Sequence, residues 1–135
     1  MKQVVDRTNG QHPIVMIVDD NPAIRDMVSW ALELDGYEPV EAAEGQEALT
    51  WIDKAACEGR YPALILLDLA MPGMDGDTFL DRLQVRWGGS CPLPAIVIIT
   101  AAAADSVQED LPVQHVIVKP FHVRDLLDVV RSLVS

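Results

Sequence analysis

Short apolar runs recur along this chain, and most stop on a polar or charged residue. They are "IVMIVDD" (14–20), "ALILLD" (63–68), "AIVIIT" (95–100) and "HVIVKP" (115–120). Runs of this length and of Ile, Val and Leu read as strands buried on both faces. "YEPVEA" (37–42) reads as a shorter, more polar strand. Between the runs, apolar residues recur at helical spacing. Asn21 can cap a helix with Pro22 at its first position; Ile24, Met27, Val28, Ala31 and Leu34 form its inner stripe, and Gly36 closes it. "GQEALTWIDKAACEG" (45–59) places Ala48, Leu49, Ile52 and Ala56 inward, and a helix from about Asp75 to Trp87 places Phe79, Leu80 and Leu83 inward. Residues 101–111 read as a brief, Ala-rich helix that Pro112 stops. "HVRDLLDVVRSLV" (122–134) carries Val123, Leu126, Leu127 and Val130 on one stripe. Five strands alternating with five helices mean an α/β fold, a parallel sheet covered on both faces. Residues 1–12 are polar and aperiodic and read as a flexible N-terminal arm. Residues 13–135 read as the folded unit, with no linker and no second domain expected.

Charge narrows the function. Ten basic residues against 21 acidic ones give a net charge of −11, so this unit is not expected to grip nucleic-acid phosphates. Most of those acids read as a solvated surface. No signal-type apolar stretch opens the chain and none approaches membrane-spanning length, so a cytoplasmic protein without a membrane contact is expected. Cys57 and Cys91 are expected as free thiols, and His12, His115 and His122 show no zinc spacing. His115 and His122 read as surface groups. Trp30, Trp51 and Trp87 read as packing residues.

A carboxylate at the end of a buried strand needs a reason: a partner, a metal, or the open end of a sheet. In open parallel sheets, ligands bind outside the carboxyl ends of the strands. The chain puts Asp19 and Asp20, Asp68, Thr100 and Lys119 at four such ends. Three convergent carboxylates repel one another, and a hard divalent cation relieves that repulsion. Magnesium takes a few oxygen ligands, keeps several waters and shares a phosphate. The set therefore reads as a site for magnesium and a phosphoryl group. Asp68 is the nucleophile, Lys119 offsets charge on the transferring oxygens, and Thr100 hydrogen-bonds one of them.

"IVMIVDDNPAIRDMV", "ILLDLAMPGMDG", "IIT" followed by "AA", and "VIVKPF" resemble, in order and spacing, the receiver domain of two-component response regulators (CheY-like) over roughly residues 14–134. The resemblance implies a doubly wound, flavodoxin-like three-layer α/β/α fold with strand order 2-1-3-4-5. It implies that Asp68 is the phosphoacceptor, Asp20 a direct metal ligand, Asp19 a ligand through water and the Ala70 backbone carbonyl a further ligand. Thr100 is then the switch hydroxyl, Lys119 the phosphoryl partner, and the Lys119–Pro120 bond is cis. Small Ala101 leaves access to the phosphoryl group, and Ala70 and Ala102 occupy the positions that tune its lifetime. The implied cofactor is Mg2+. The implied partners are a histidine kinase or histidine phosphotransfer protein and a downstream protein target, with a homodimer possible within the family.

The chain departs from the pattern in two places. Val116 stands where many receivers carry an aromatic residue that turns inward with the switch hydroxyl. The segment between Thr100 and Lys119 is short for the family, which implies a short or poorly ordered fourth helix and an atypical output face. Three other functions compete with the phosphoryl switch. A haloacid-dehalogenase-like phosphohydrolase needs an acid two residues after the nucleophile, where Ala70 stands. A flavin binder needs a phosphate-cradling loop after the first strand, where "DDNPAI" offers two acids. An unphosphorylated docking scaffold would not need the full set of acids and the lysine. A self-phosphorylating and self-dephosphorylating signalling domain, rather than a turnover enzyme, is therefore expected.

Overall fold

The computed structural model describes residues 12–68, 76–87, 94–100 and 114–134. The strands among these residues are β1 (Ile14–Val18), β2 (Glu38–Ala42), β3 (Leu64–Asp68), β4 (Ala95–Thr100) and β5 (His115–Val118). They form one parallel sheet in the order β2-β1-β3-β4-β5, the order that the resemblance implies. The helices among the described residues are α1 (Pro22–Leu34), α2 (Gly45–Cys57), α3 (Gly76–Trp87) and α4 (Val123–Val134). The segment read as a brief helix, 101–111, lies outside the described residues, as do residues 1–11.

Strand alternation sorts the core into two layers. Met16, Val18, Ile65, Leu67, Ile96 and Ile98 pack on one face with Leu49 and Ile52 of α2 and Phe79, Leu80 and Leu83 of α3. Val15, Ile17, Leu64, Leu66, Val97 and Ile99 pack on the other with Val28 and Leu32 of α1 and Leu126 and Val130 of α4. Strands β1 and β3 are buried along their whole length, which is why their sequences run apolar without alternating. Edge strand β2 is only half-buried, and its sequence is correspondingly polar.

Capping at α1 follows the sequence. The Asn21 side chain accepts hydrogen bonds from the backbone of Ala23 and Ile24, and Pro22 opens the helix. Gly36, with φ +93°, takes the left-handed turn after the C-cap Asp35. The buried stripe differs from the expected one. Val28, Ala31 and Leu32 are buried, whereas Met27 and Leu34 are 40% and 69% exposed. Met27 and Leu34 sit about 100° or more around the helix from Val28, beyond the arc that the sheet covers. In α2 the buried position is Ala55 rather than Ala56. Trp30 corrects the packing expectation, since it is 67% exposed on the outer side of α1. Trp51 does pack against the core, with the Arg60 guanidinium 5.8 Å from its ring centre. The side chain of Trp87 lies outside the described residues. His115 and His122 are exposed, as expected.

Two further contacts tie the sheet's far end together. His12, placed by the sequence in the arm, donates from Nδ1 to the Gly36 carbonyl at 2.7 Å. Arg131 of α4 grips both Asp35 oxygens at 2.9 Å. That pairing holds the Asp35 carboxyl below its ordinary pKa.

Candidate functional site

Four strand ends, those of β1, β3, β4 and β5, meet at one edge of the sheet. Beyond β1, the Asp19 backbone N–H donates to the Ala42 carbonyl of β2 at 3.1 Å, so the strand pairing continues into the first acid. Its Oδ1 accepts the Asn21 backbone N–H at 2.9 Å. Asp19 is 1% exposed and Asp68 is 5% exposed, while Asp20 faces solvent. One carboxylate oxygen from each of Asp19, Asp20 and Asp68 lies within 4.8 Å of the other two.

Lys119 enters from the other side. Its backbone N–H donates to the Thr100 carbonyl at 2.8 Å, extending the β4–β5 pairing past Val118. That extension brings its ammonium to the acids, with Nζ 3.0 Å from Asp19 Oδ2 and 3.4 Å from Asp68 Oδ2. Burial draws the Lys119 pKa down, and the contact with Asp19 and the charges of Asp68 and Asp19 outweigh it. The ammonium therefore lies above its ordinary pKa and stays charged. The Lys119–Pro120 peptide is cis. Thr100 is 2% exposed at the end of β4, one residue beyond the Ile99 that pairs with Asp68.

The sequence-derived residues Asp19, Asp20, Asp68 and Lys119 thus converge, with Thr100 on the adjacent strand end. Ala70, Ala101 and Ala102 lie outside the described residues. Val116 is half-buried, pairs with Ile98 and packs against the α2–α3 layer. It offers a branched aliphatic side chain where a ring would turn.

Whether these residues suit a metal can be tested on Asp19. Its Oδ2 is buried and is met by no aligned hydrogen-bond donor; Lys119 attracts it as an ion pair only. A buried carboxylate oxygen with an open lone-pair direction is costly unless something completes it. An oxygen-seeking divalent cation between Asp19, Asp20 and Asp68 would do so.

Sequence reasoning missed Arg25. Its Nη1 donates to the Asp19 backbone carbonyl at 2.7 Å, and its Nε lies 3.4 Å from Glu41 of β2. A cation near the start of a helix opposes the helix dipole, and that misplaced charge was the available signal.

A parallel doubly wound sheet with an acidic cluster and an ammonium at its carboxyl edge is an arrangement that could hold a hard cation beside an oxyanion. Residues 15–131 match the family described as the response regulator receiver domain, and the chain belongs to that family. It is 34% identical over 123 residues to the DNA-binding dual master transcriptional regulator RpaA of Synechocystis, covering 90% of this chain and 48% of that protein. It is 31% identical over 120 residues to sporulation initiation phosphotransferase F of Bacillus subtilis, covering 87% of this chain and 90% of that protein. Among solved structures it resembles response regulator TrrA of Thermotoga maritima in complex with Mg(2+)-BeF. That match has a TM-score of 0.70 and 27% identity, covering 90% of this chain and 98% of that one. The chain spans about half the length of several of the curated relatives it matches. Receiver domains are phosphoacceptor signalling domains, and response regulators work with histidine kinases and downstream targets. Among the described residues no helix is long and apolar enough to cross a membrane.

Proposed function

We propose that Asp68 is the phosphoacceptor of this receiver, served by Mg2+ bound at Asp19, Asp20 and Asp68 and at the Ala70 backbone carbonyl. The observation that carries this reading is the convergence of three carboxylates within 4.8 Å on an ammonium 3.0 and 3.4 Å from two of them. An Asp68 carboxylate oxygen attacks the phosphorus of a phosphohistidine. An O–P bond forms and the P–N bond breaks. The departing imidazole keeps the bond's electron pair and takes up a proton from water. The product is an acyl phosphate on Asp68. Lys119 stays protonated and pairs with a phosphoryl oxygen, drawing charge off the group as it transfers. Thr100, on the neighbouring strand end, turns its hydroxyl to another oxygen. Mg2+ held by Asp19, Asp20 and Asp68 would supply positive charge beside the phosphoryl oxygens.

A histidine kinase or histidine phosphotransfer protein supplies the group, and a downstream protein reads the change. The shift in Thr100 reaches the surface without an aromatic rotor, since Val116 has no ring. RpaA is a DNA-binding regulator, but this chain spans 48% of that protein and has net charge −11, and DNA binding is no part of this reading. Residues 13–135 form the receiver unit in this reading. The test is intact mass after incubation with acetyl phosphate, with and without magnesium, beside Asp68→Asn. One added phosphoryl group that requires both magnesium and Asp68 supports the reading. Phosphorylation that persists in Asp68→Asn overturns it.

A further inference from the structure

We infer that Arg25 is a positioning residue for the metal: it sets the Asp19–Asp20 peptide and thereby aims Asp20 at the ion. The inference rests on the metal site proposed above and adds a residue that touches neither metal nor phosphoryl group. Arg25 stands near the start of α1, where the helix dipole disfavours a cation. Its side chain is 18% exposed. The guanidinium turns back along the loop, donates to the Asp19 carbonyl at 2.7 Å, and rests 3.4 Å from Glu41. The charge-assisted bond is short and directional.

Besides its ion pair with Lys119, Asp19 is consequently held by three hydrogen bonds. Its N–H is held by Ala42, its Oδ1 by the Asn21 N–H, and its carbonyl by Arg25. The first holds the backbone entering Asp19 and the second places its side chain. Only the third fixes the plane of the peptide that leads into Asp20. Among the described residues no hydrogen bond or ion pair holds the Asp20 carboxylate itself. Its direction therefore depends on the backbone that carries it. Glu41 fixes the other end of the guanidinium and partly offsets its charge.

Charge and position predict opposite signs, which makes the inference testable. Removing a cation beside a divalent-metal site should tighten the metal if charge alone matters. Removing the support of a ligand should loosen it. The experiment is calorimetric titration of the whole chain with magnesium chloride, with urea unfolding of each metal-free variant alongside. Arg25→Ala is expected to raise the magnesium Kd on the order of tenfold, the usual consequence of losing a group that orients a ligand. Arg25→Lys keeps the charge and can restore a single donor to Asp19, so its Kd is expected between the two. Glu41→Gln spares the bond to Asp19 and is expected to stay within about twofold of the parent. A Kd for Arg25→Ala that is unchanged or tighter, in a variant that unfolds cooperatively, overturns the inference and leaves the proposed function standing. A Glu41→Gln loss as large as that of Arg25→Ala also overturns it, because the effect would not then run through the Asp19 carbonyl. If the parent chain itself binds no magnesium, the proposed site falls and this inference falls with it.

Discussion

Replacing Asp20 with Asn should stabilise the metal-free protein and abolish its stabilisation by magnesium. The Asp20 carboxylate lies within 4.8 Å of both Asp19 and Asp68. It faces solvent, so each repulsion is taken at the value for water, about 0.9 kcal/mol at that distance. Two such pairs amount to about 1.7 kcal/mol, and attraction to the nearby Lys119 ammonium reduces the total to about 1 kcal/mol. For a domain of this size that corresponds to a rise in Tm of about 3–5 °C. Magnesium at ten times its Kd stabilises the parent by about 1.4 kcal/mol and leaves the variant, short of a ligand, nearly unchanged. The order of the two proteins should therefore invert: variant above parent in EDTA, parent above variant in magnesium. Thermal unfolding of both proteins at low ionic strength, in each condition, reads this directly. Added monovalent salt should shrink the difference in EDTA. An Asp20→Asn variant less stable than the parent in EDTA would refute the repulsion argument. An equal gain from magnesium would refute the ligand assignment.

Other outcomes follow from the same geometry. Lys119→Met leaves Asp19 and Asp68 buried without their ammonium and should cost about 2 kcal/mol in urea unfolding, less than for a fully buried pair because Lys119 is partly exposed. The same variant should lose phosphorylation by acetyl phosphate. Phe79→Ala empties a fully buried position between α3 and the sheet, and a loss of about 3–5 kcal/mol is expected by urea unfolding. Asp35 has its pKa held below 3.8 by the hydrogen bonds from Arg131. Its contribution is complete above the unfolded value and is lost as pH falls through the lower folded one. Urea midpoints measured downward from pH 5 should therefore fall less steeply in Arg131→Gln than in the parent; parallel curves would contradict the bridge.

Much of this protein is legible in its amino-acid sequence. Apolar runs that end on Asp19, Asp68, Thr100 and Lys119 report both the buried parallel sheet and its working edge, because a two-face-buried strand can carry a polar residue only where it emerges. Asn21, Pro22 and Gly36 mark their helix ends through backbone chemistry that is local to the sequence. Periodicity gave the inner side of α1 but not its width. Met27 and Leu34 fall outside because the sheet covers a limited arc, and that arc is set by strands far along the chain. Trp30 misled for the same reason, since its side chain alone does not say which way its helix is turned. Only the tertiary structure could place Arg25 on the Asp19 carbonyl or Arg131 on Asp35, residues 6 and 96 positions apart. Such contacts depend on how the loop folds back and on how distant helices dock. The sequence by itself determined which groups reach the edge of the sheet. The packed structure decided their distances, which oxygen of Asp19 remains open, and which residue holds the loop that carries the acids, because those follow from three-dimensional registration between segments that have no pattern in common.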